Sequence, residues 1–574
     1  MQVPTRPFAI WVMRWRVWNY QLLPMPSPNF RRKLSLACAA IIAMIAANPI
    51  YALCAAFSSH SFFSGHPTFE TNLAVGNRSF ATPKDYGAKG DAVTLADGAI
   101  SSGSAIFTSS LAGFTSADVR KAIAVSGAGT SGTALVGLIS VVNSATSVTL
   151  SAEASTTVSG ARADYGTDDT AAVRSCVQNS TLLGGRCTIN DGARFMMSNT
   201  STTINISGAR VAGGMIDGTG TLIFAPQGPL TAGTNDRLLY LASSEAARPF
   251  QVRSGPIARG ATSFTAQNSR DAAQLSRGDW VIMTEKDGGA TDVVYSDWLQ
   301  VSRVEGATVN IVGQFRMSFP NARAYNTSGS PAPCISASPC GLSVRKLTNV
   351  VEAVTIKDIN IIIPKVINGN GANGIATRDT RDVYIQNVTC DDASANCYAG
   401  YLDQGLVFTG NHMNASVYPE FAGQVDTTAI GNHINSAGTN LFSIVTPRTG
   451  GFLIDFGTGF SRFDGNTIGD NLQACFSLLS GVHDISLRRN TCGWTSFGTG
   501  AACILVRGGY RNTIEHNICP GADGASSVGI TLGDSAGFTL NITSAANSVQ
   551  GNTVNRYVTR YDVGGANDVL EANH

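Results

Sequence analysis

From about residue 350 the chain repeats one short phrase: an apolar residue, a polar step, then asparagine and a second apolar residue. Its members span 354–359, 383–388, 407–412, 428–433, 462–467, 486–491, 513–518 and 548–553. Asp358, Asn387, Asn411, Asn432, Asn466, Asn490, Asn517 and Asn552 set the register, at intervals of 21–35 residues. No single unit is long enough to bury its apolar face; stacked units share a continuous core, and the uneven spacing is taken up in loops. Asparagine suits a sharp corner because it tolerates left-handed backbone and bonds to its neighbours in a stack. The repeat predicts an all-β solenoid whose coils lie in parallel, with Asp358 and the asparagines as structural residues.

Composition narrows the partners. Charged residues make up 14% of the chain, against about 25% in an ordinary soluble domain. The net charge is +1, so no field favours nucleic acid. The many glycines, 61 in all, fit tight corners between short strands.

Two separated phrases open the solenoid. Lys84-Asp85-Tyr86-Gly87-Ala88-Lys89-Gly90-Asp91 comes first, and Tyr165-Gly166-Thr167-Asp168-Asp169-Thr170-Ala171-Ala172-Val173 follows. Read end to end, they resemble the entry to the pectate-lyase-like superfamily. That resemblance implies a right-handed parallel β-helix acting on a polysaccharide. The second phrase also reads physically. Asp168 and Asp169 are placed to cap a helix, and Ala171, Ala172, Val173, Cys176 and Val177 form its apolar face. Such a helix covers the open first coil. The expected division is 81–91 and 165–574 as β-helix, with a short N-terminal capping helix. Residues 92–164 form a small β-rich insert, and 255–320 a second β-rich insert of comparable strand order. Such inserts either flank a groove of the β-helix and narrow what enters it, or serve as packing modules.

Residues 1–52 read as a leader. Arg31-Arg32-Lys33 precedes an apolar run over 34–47, then Pro49 and small residues near Ala52. This is the order of a secretory signal peptide, with Met25 as an alternative start. The run is short for a membrane span, so no stable membrane anchor is expected once the signal is cleaved. Residues 53–80 read as a linker. The expected location is secreted, periplasmic or cell surface, where cysteines pair. Ten of the 12 cysteines follow residue 54. Local pairing joins Cys176 to Cys187, Cys334 to Cys340 and Cys390 to Cys397. The last four are expected as stacked pairs, Cys475 with Cys503 and Cys492 with Cys519. No CxxC or HExxH occurs, which argues against zinc.

The resemblance implies two chemistries on uronate polysaccharides: a Ca²⁺-dependent lyase with an Arg or Lys base, or a hydrolase with paired carboxyls. The hydrolase's Asn-Thr-Asp, His-Gly and Arg-x-Lys motifs are not recognisable in this sequence. Asp391 and Asp392, at a coil corner, are the first catalytic candidates, because paired carboxyls raise one another's pKa or hold a cation. Asp403 and Asp455 are the next, with Asp426 beside them. Arg378 and Arg381 are candidate forks for a uronate carboxylate; Tyr401 and Glu420 are candidate substrate contacts. Tyr384, Tyr398, Tyr418 and Trp494 are aromatics able to stack on sugars. His412 and His433 share a register, which favours stacking over metal binding. Ca²⁺ is the cofactor implied for a lyase. The competing reading of each carboxylate is a solvated turn or surface ion pair. A non-catalytic carbohydrate-binding surface protein and a phage tailspike-like protein are the alternatives; the leader argues against the second.

Overall fold

The computed structural model describes residues 80–182, 184–198, 204–226, 237–245, 249–253, 256–286, 293–319, 341–363, 373–417, 419–435, 452–470, 474–479, 481–494, 502–522, 527–533, 544–557, 559–563, 567–571 and 573. Cys334, Cys340 and Tyr418, together with the leader and the linker up to residue 79, lie outside them.

Each coil passes through three parallel sheets in turn. Thr355–Lys357, Asn360–Ile362 and Asn373–Arg378 make one coil, and each strand pairs in parallel with its counterpart in the next. The first sheet has 12 strands, from Phe80–Ala81 to Val569–Glu571. The second has seven, from Arg194–Met197 to Thr467–Ile468, with a separate pair, Ile518–Cys519 and Thr553–Val554, on the same side further along. The third has ten, from Ile204–Ile206 to Thr559–Val563. Alternate residues point inward, so Ile356, Ile385, Phe408, Ala429, Phe463 and Leu487 stack in one buried row. The solenoid is an all-β parallel β-helix, as the repeat and the opening phrases imply.

The two phrases meet. Asp91 accepts hydrogen bonds from the backbone N–H and hydroxyl of Thr167, both 2.9 Å. Asp169 accepts from the Lys89 and Gly90 N–H groups at 2.7 and 2.9 Å, and Asp168 accepts from the Thr170 N–H at 3.2 Å. The helix Thr170–Leu182 buries Val173, Cys176 and Val177 against the first coils.

The asparagine column needs a correction of one residue at its start. Asn411, Asn432, Asn466, Asn490, Asn517, Asn552 and Asn573 form a ladder, each side-chain N–H₂ donating to the next carboxamide oxygen at 2.8–3.0 Å. Asn387 and Asp358 do not belong to it. Strand pairing aligns Gln386 with Thr409, which puts Asn387 opposite Gly410 and Val388 opposite Asn411. Asn387 and Asp358 are instead the left-handed corner residues, φ 52° and 61°.

Residues Val93–Gly166 close into a six-stranded antiparallel barrel with its own core. The second insert repeats its succession of pairings. Ser263–Thr265 pairs with Thr308–Ile311, that with Val293–Glu305, that with Trp280–Lys286, and that with Gly341–Thr348. Phe250–Gln251 pairs with the last strand, and Val252 bridges to Ala266 beside the first. The sheet therefore reaches from Ser244–Glu245 to Gly341–Thr348, beyond the 255–320 expected, because the strands that complete it lie on either side of that window.

Cys176–Cys187 and Cys390–Cys397 are disulfide-bonded. The last four cysteines pair differently from expectation: Cys475 with Cys492, and Cys503 with Cys519. Cys475 and Cys503 do occupy equivalent places in successive coils, between the aligned pairs Ala474–Ala502 and Phe476–Ile504. The bonds run within each coil instead of between coils.

Candidate functional site

The outer face of the third sheet gathers four of the sequence-derived candidates, Arg378, Tyr401, Glu420 and Asp455. Strand pairing aligns Ala242, Arg378, Tyr401, Ala422, Asp455, Leu479 and Arg507 in one row. A second row, two residues earlier on each strand, runs Tyr240, Ala376, Ala399, Glu420 and Leu453. Glu420 and Asp455 are thus diagonal neighbours on adjacent strands, with Cα atoms roughly 8 Å apart from strand spacing and rise. Ala376, Ala399 and Ala422 project no more than a methyl between them. The result is a shallow floor rimmed by a guanidinium, a phenol and two carboxyls.

The rim is held from several elements. The Arg378 guanidinium lies 5.6 Å from the Tyr401 ring centroid and within 3.8 Å of Glu245 and 3.5 Å of Asp379. Arg345, buried, donates to both oxygens of Asp379, at 2.8 Å and 3.2 Å, and also binds Glu245. Its guanidinium is held firmly protonated by these two carboxylates. Glu420 accepts from the Asn396 amide at 3.0 Å. Asp455 is buried at the edge of the row. Sequence reasoning missed Glu245, Arg345 and Asp379. No local pattern marks Arg345: in the strand Gly341–Thr348 it follows Val344 and precedes Lys346, on the face opposite Leu342 and Val344.

The second insert forms a wall on the side of this face that leads to the first sheet. Trp298 donates its indole N–H to the Leu402 carbonyl at 2.8 Å, and Ser296 donates to the Gly423 carbonyl at 2.8 Å. Arg316 bridges Asp297 and Asp426, 2.5 Å to each. Arg381 is drawn into this contact, pairing with Glu352 and Asp382, its guanidinium 4.4 Å from a Trp280 ring.

The remaining candidates lie elsewhere. Asp391 is on the outer face of the second sheet, accepting from the Asn414 amide at 2.7 Å; Asp392 follows it in the strand Thr389–Asn396. Asp403 points into the solenoid. It accepts from the hydroxyls of Thr377 and Thr380, the Thr380 N–H and the Gln424 amide, at 2.6–3.1 Å. Burial nevertheless raises its pKa to about 7. Tyr398 is also interior, its hydroxyl within 2.9 Å of Thr377.

Calcium requires six to eight converging oxygens. Among the described residues the one group of three close ligand atoms is Cys492, Cys503 and Cys519, whose sulfurs belong to disulfides. Among the described residues, the carboxylates of the third-sheet face do not assemble a calcium shell.

No family model and no curated protein matches the chain. Solved structures do. A Pseudomonas phage tailspike is similar at 13% identity and TM-score 0.37, over 71% of this chain and 68% of that one. A tailspike of an Acinetobacter baumannii bacteriophage, in complex with that bacterium's capsular saccharide, aligns at 10% identity and TM-score 0.36, covering 71% and 74%. The A-module of an Azotobacter vinelandii mannuronan C-5 epimerase aligns at 12% and 0.32, covering 71% and 92%. What these proteins share with this chain is the fold.

Proposed function

We propose that the protein is an exported polysaccharide-active enzyme that binds an acidic, uronate-containing chain along the outer face of the third sheet and cleaves it there. The observation that carries this is the alignment of Arg378, Tyr401 and Asp455 in one row with Glu420 diagonal to it, over a floor of alanines. Each group has a task. Arg378 offers a planar fork to a uronate carboxylate. Tyr401 offers a ring face to a sugar ring. Arg507, exposed in the same row, extends the positive field further along the face.

Glu420 and Asp455 supply the acid and base. A carboxyl pair across a glycosidic bond works as general acid and nucleophile or base, at separations of about 5–9.5 Å between the two groups. The diagonal placement on adjacent strands puts both carboxyls on one face, where they can flank a single glycosidic bond. Asp455, the more buried of the two, is assigned the acid role, and Glu420, half-buried and hydrogen-bonded to Asn396, the base.

The test is a panel of acidic and neutral polysaccharides with the purified protein, read for new reducing ends and for unsaturated-uronate absorbance, with and without chelator. New reducing ends without absorbance, lost in Glu420→Gln and Asp455→Asn, support the reading. Absorbance that vanishes with chelator overturns the acid–base assignment in favour of a metal-dependent lyase. Binding of an acidic chain without cleavage supports a carbohydrate-binding surface protein.

A further inference from the structure

The outer face of the second sheet changes character along the solenoid. At its start the row Met196, Ile223 and Ile362 is apolar, and the first insert seals it with Ala122, Ala124 and Val136. One coil on, the same row continues as Asp391 and Asn414. The neighbouring row becomes Thr389, His412, His433, Thr467 and Thr491. The apolar surface ends where the insert ends.

The uncovered stretch is built of groups that bond hydroxyls. The His412 and His433 rings stack with centroids 4.7 Å apart and 6° between planes. Burial and the neighbouring ring lower the His433 pKa. Thr467, Thr491 and Asn435 are exposed. At the far end Trp494 is half-exposed and fixed in place. Its backbone N–H donates to Asp470 at 2.7 Å. Its six-membered ring lies so close to Gly521 that a Cβ there would come within 2.5 Å of it. The Arg556 guanidinium sits 5.9 Å from a Trp494 ring.

Among the described residues the row goes on from Thr491 to exposed Ile518, its one large apolar side chain, which is too little for a protein partner; the other exposed groups of the lane are threonines and asparagine, which do not suit a polyanion. Amides, hydroxyls and stacked imidazoles with an indole at one end match a hydroxyl-rich chain, which hydrogen-bonds along its edges and stacks a ring face on the aromatic. We propose that this lane is a second glycan-binding site, which holds an uncharged stretch of polysaccharide along the second sheet, apart from the acidic-chain face on the third.

The experiment measures binding of neutral hexasaccharides (β-1,4-linked glucose, β-1,4-linked mannose and α-1,6-linked glucose) to the full chain by calorimetry. Thr467→Arg and Thr491→Arg place a long side chain in the lane at exposed positions and leave the core untouched; Trp494→Ala removes the platform. At least one hexasaccharide is expected to bind, with affinity reduced about tenfold or more in Thr467→Arg and Trp494→Ala and unchanged in Arg378→Ala. Failure of all three sugars to bind the unmodified protein overturns the proposal. So does unchanged binding to Thr467→Arg protein with an unaltered unfolding midpoint. Neither result touches the third-sheet reading, which is tested with acidic chains.

Discussion

The indole N–H of Trp298 donates to the backbone carbonyl of Leu402, so a strand of the second insert is fastened to a corner of the solenoid 104 residues further along the chain. Trp298 is buried among Ile282, Val293, Leu347 and Leu402, and its indole both packs in this cluster and reaches the carbonyl. Trp298→Phe keeps most of the packing and leaves the carbonyl unbonded, a cost of about 1–3 kcal/mol. Arg316→Met strands buried Asp297 and is expected to cost more, about 3–5 kcal/mol. Urea unfolding checks both values. Hydrogen exchange should place the loosened amides in Val293–Glu305 and around Leu402.

Asp403 makes stability depend on pH in an unusual direction. Its pKa is raised by burial from 3.8 to about 7, so the folded protein keeps this proton where the unfolded chain has released it. Its contribution is fully present below about pH 4, declines between 4 and 7, and is gone above 7. The span is worth about 4 kcal/mol at most. Urea midpoints at pH 5 and pH 8 measure it. Asp403→Asn should remove this part of the slope, although it lowers stability at both pH values because its amide N–H₂ would face donors from Thr377 and Gln424.

Asn466 is in the middle of the ladder and serves four bonds. Its oxygen accepts from the backbone and side chain of Asn432, and its amide donates to the Ala429 carbonyl and to Asn490. Asn466→Ala leaves several buried groups unpaired, for a loss of roughly 3–5 kcal/mol. The exposed corner residue Asn387, one place off the ladder, should lose less on substitution by alanine, about 1–2 kcal/mol from the left-handed backbone alone, and Asn387→Gly should recover it. Paired unfolding curves separate the two roles.

The cysteine pairing is checked directly by mapping peptides from the oxidised protein. Cys475 should be recovered with Cys492, and Cys503 with Cys519. Each closes a loop of 17 or 16 residues, so replacing either pair with serine should cost about 3 kcal/mol.

The solenoid was legible because its corners demand particular residues and its coils repeat them. Where the demand relaxes, the reading slipped. At Asn387 the side chain matched the repeat but the backbone was one residue ahead of it. Residue type alone makes Asp403 a catalytic candidate, yet it lies inside the solenoid. Leu402 adopts a left-handed backbone (φ 57°), which breaks the two-residue alternation and turns Asp403 inward. The stacked cysteines were recognised as equivalent, yet their bonds cross the coil, since the nearest sulfur depends on which sheets face each other. On the third-sheet face, Arg378, Tyr401, Glu420 and Asp455 were chosen one at a time by residue type. Their shared face follows from registers set across intervals of unequal length, which no local pattern encodes.

Kinetics can separate the roles proposed on that face. If Glu420 and Asp455 transfer protons to and from the glycosidic bond, Glu420→Gln and Asp455→Asn lower kcat by about 100-fold or more and leave KM for the acidic chain within a few-fold. Arg378 binds the uronate in ground and transition states alike, so Arg378→Ala should raise KM about tenfold with a smaller effect on kcat. Arg378→Lys restores only part of the binding, because an ammonium lacks the bidentate fork. Loss of the Tyr401 ring in Tyr401→Ala should act on KM as well, whereas Tyr401→Phe should not, since stacking needs the ring and not the hydroxyl. If Glu420→Gln retains full turnover while Arg378→Ala abolishes binding, the face binds the chain and the acid–base pair has to be sought elsewhere on it.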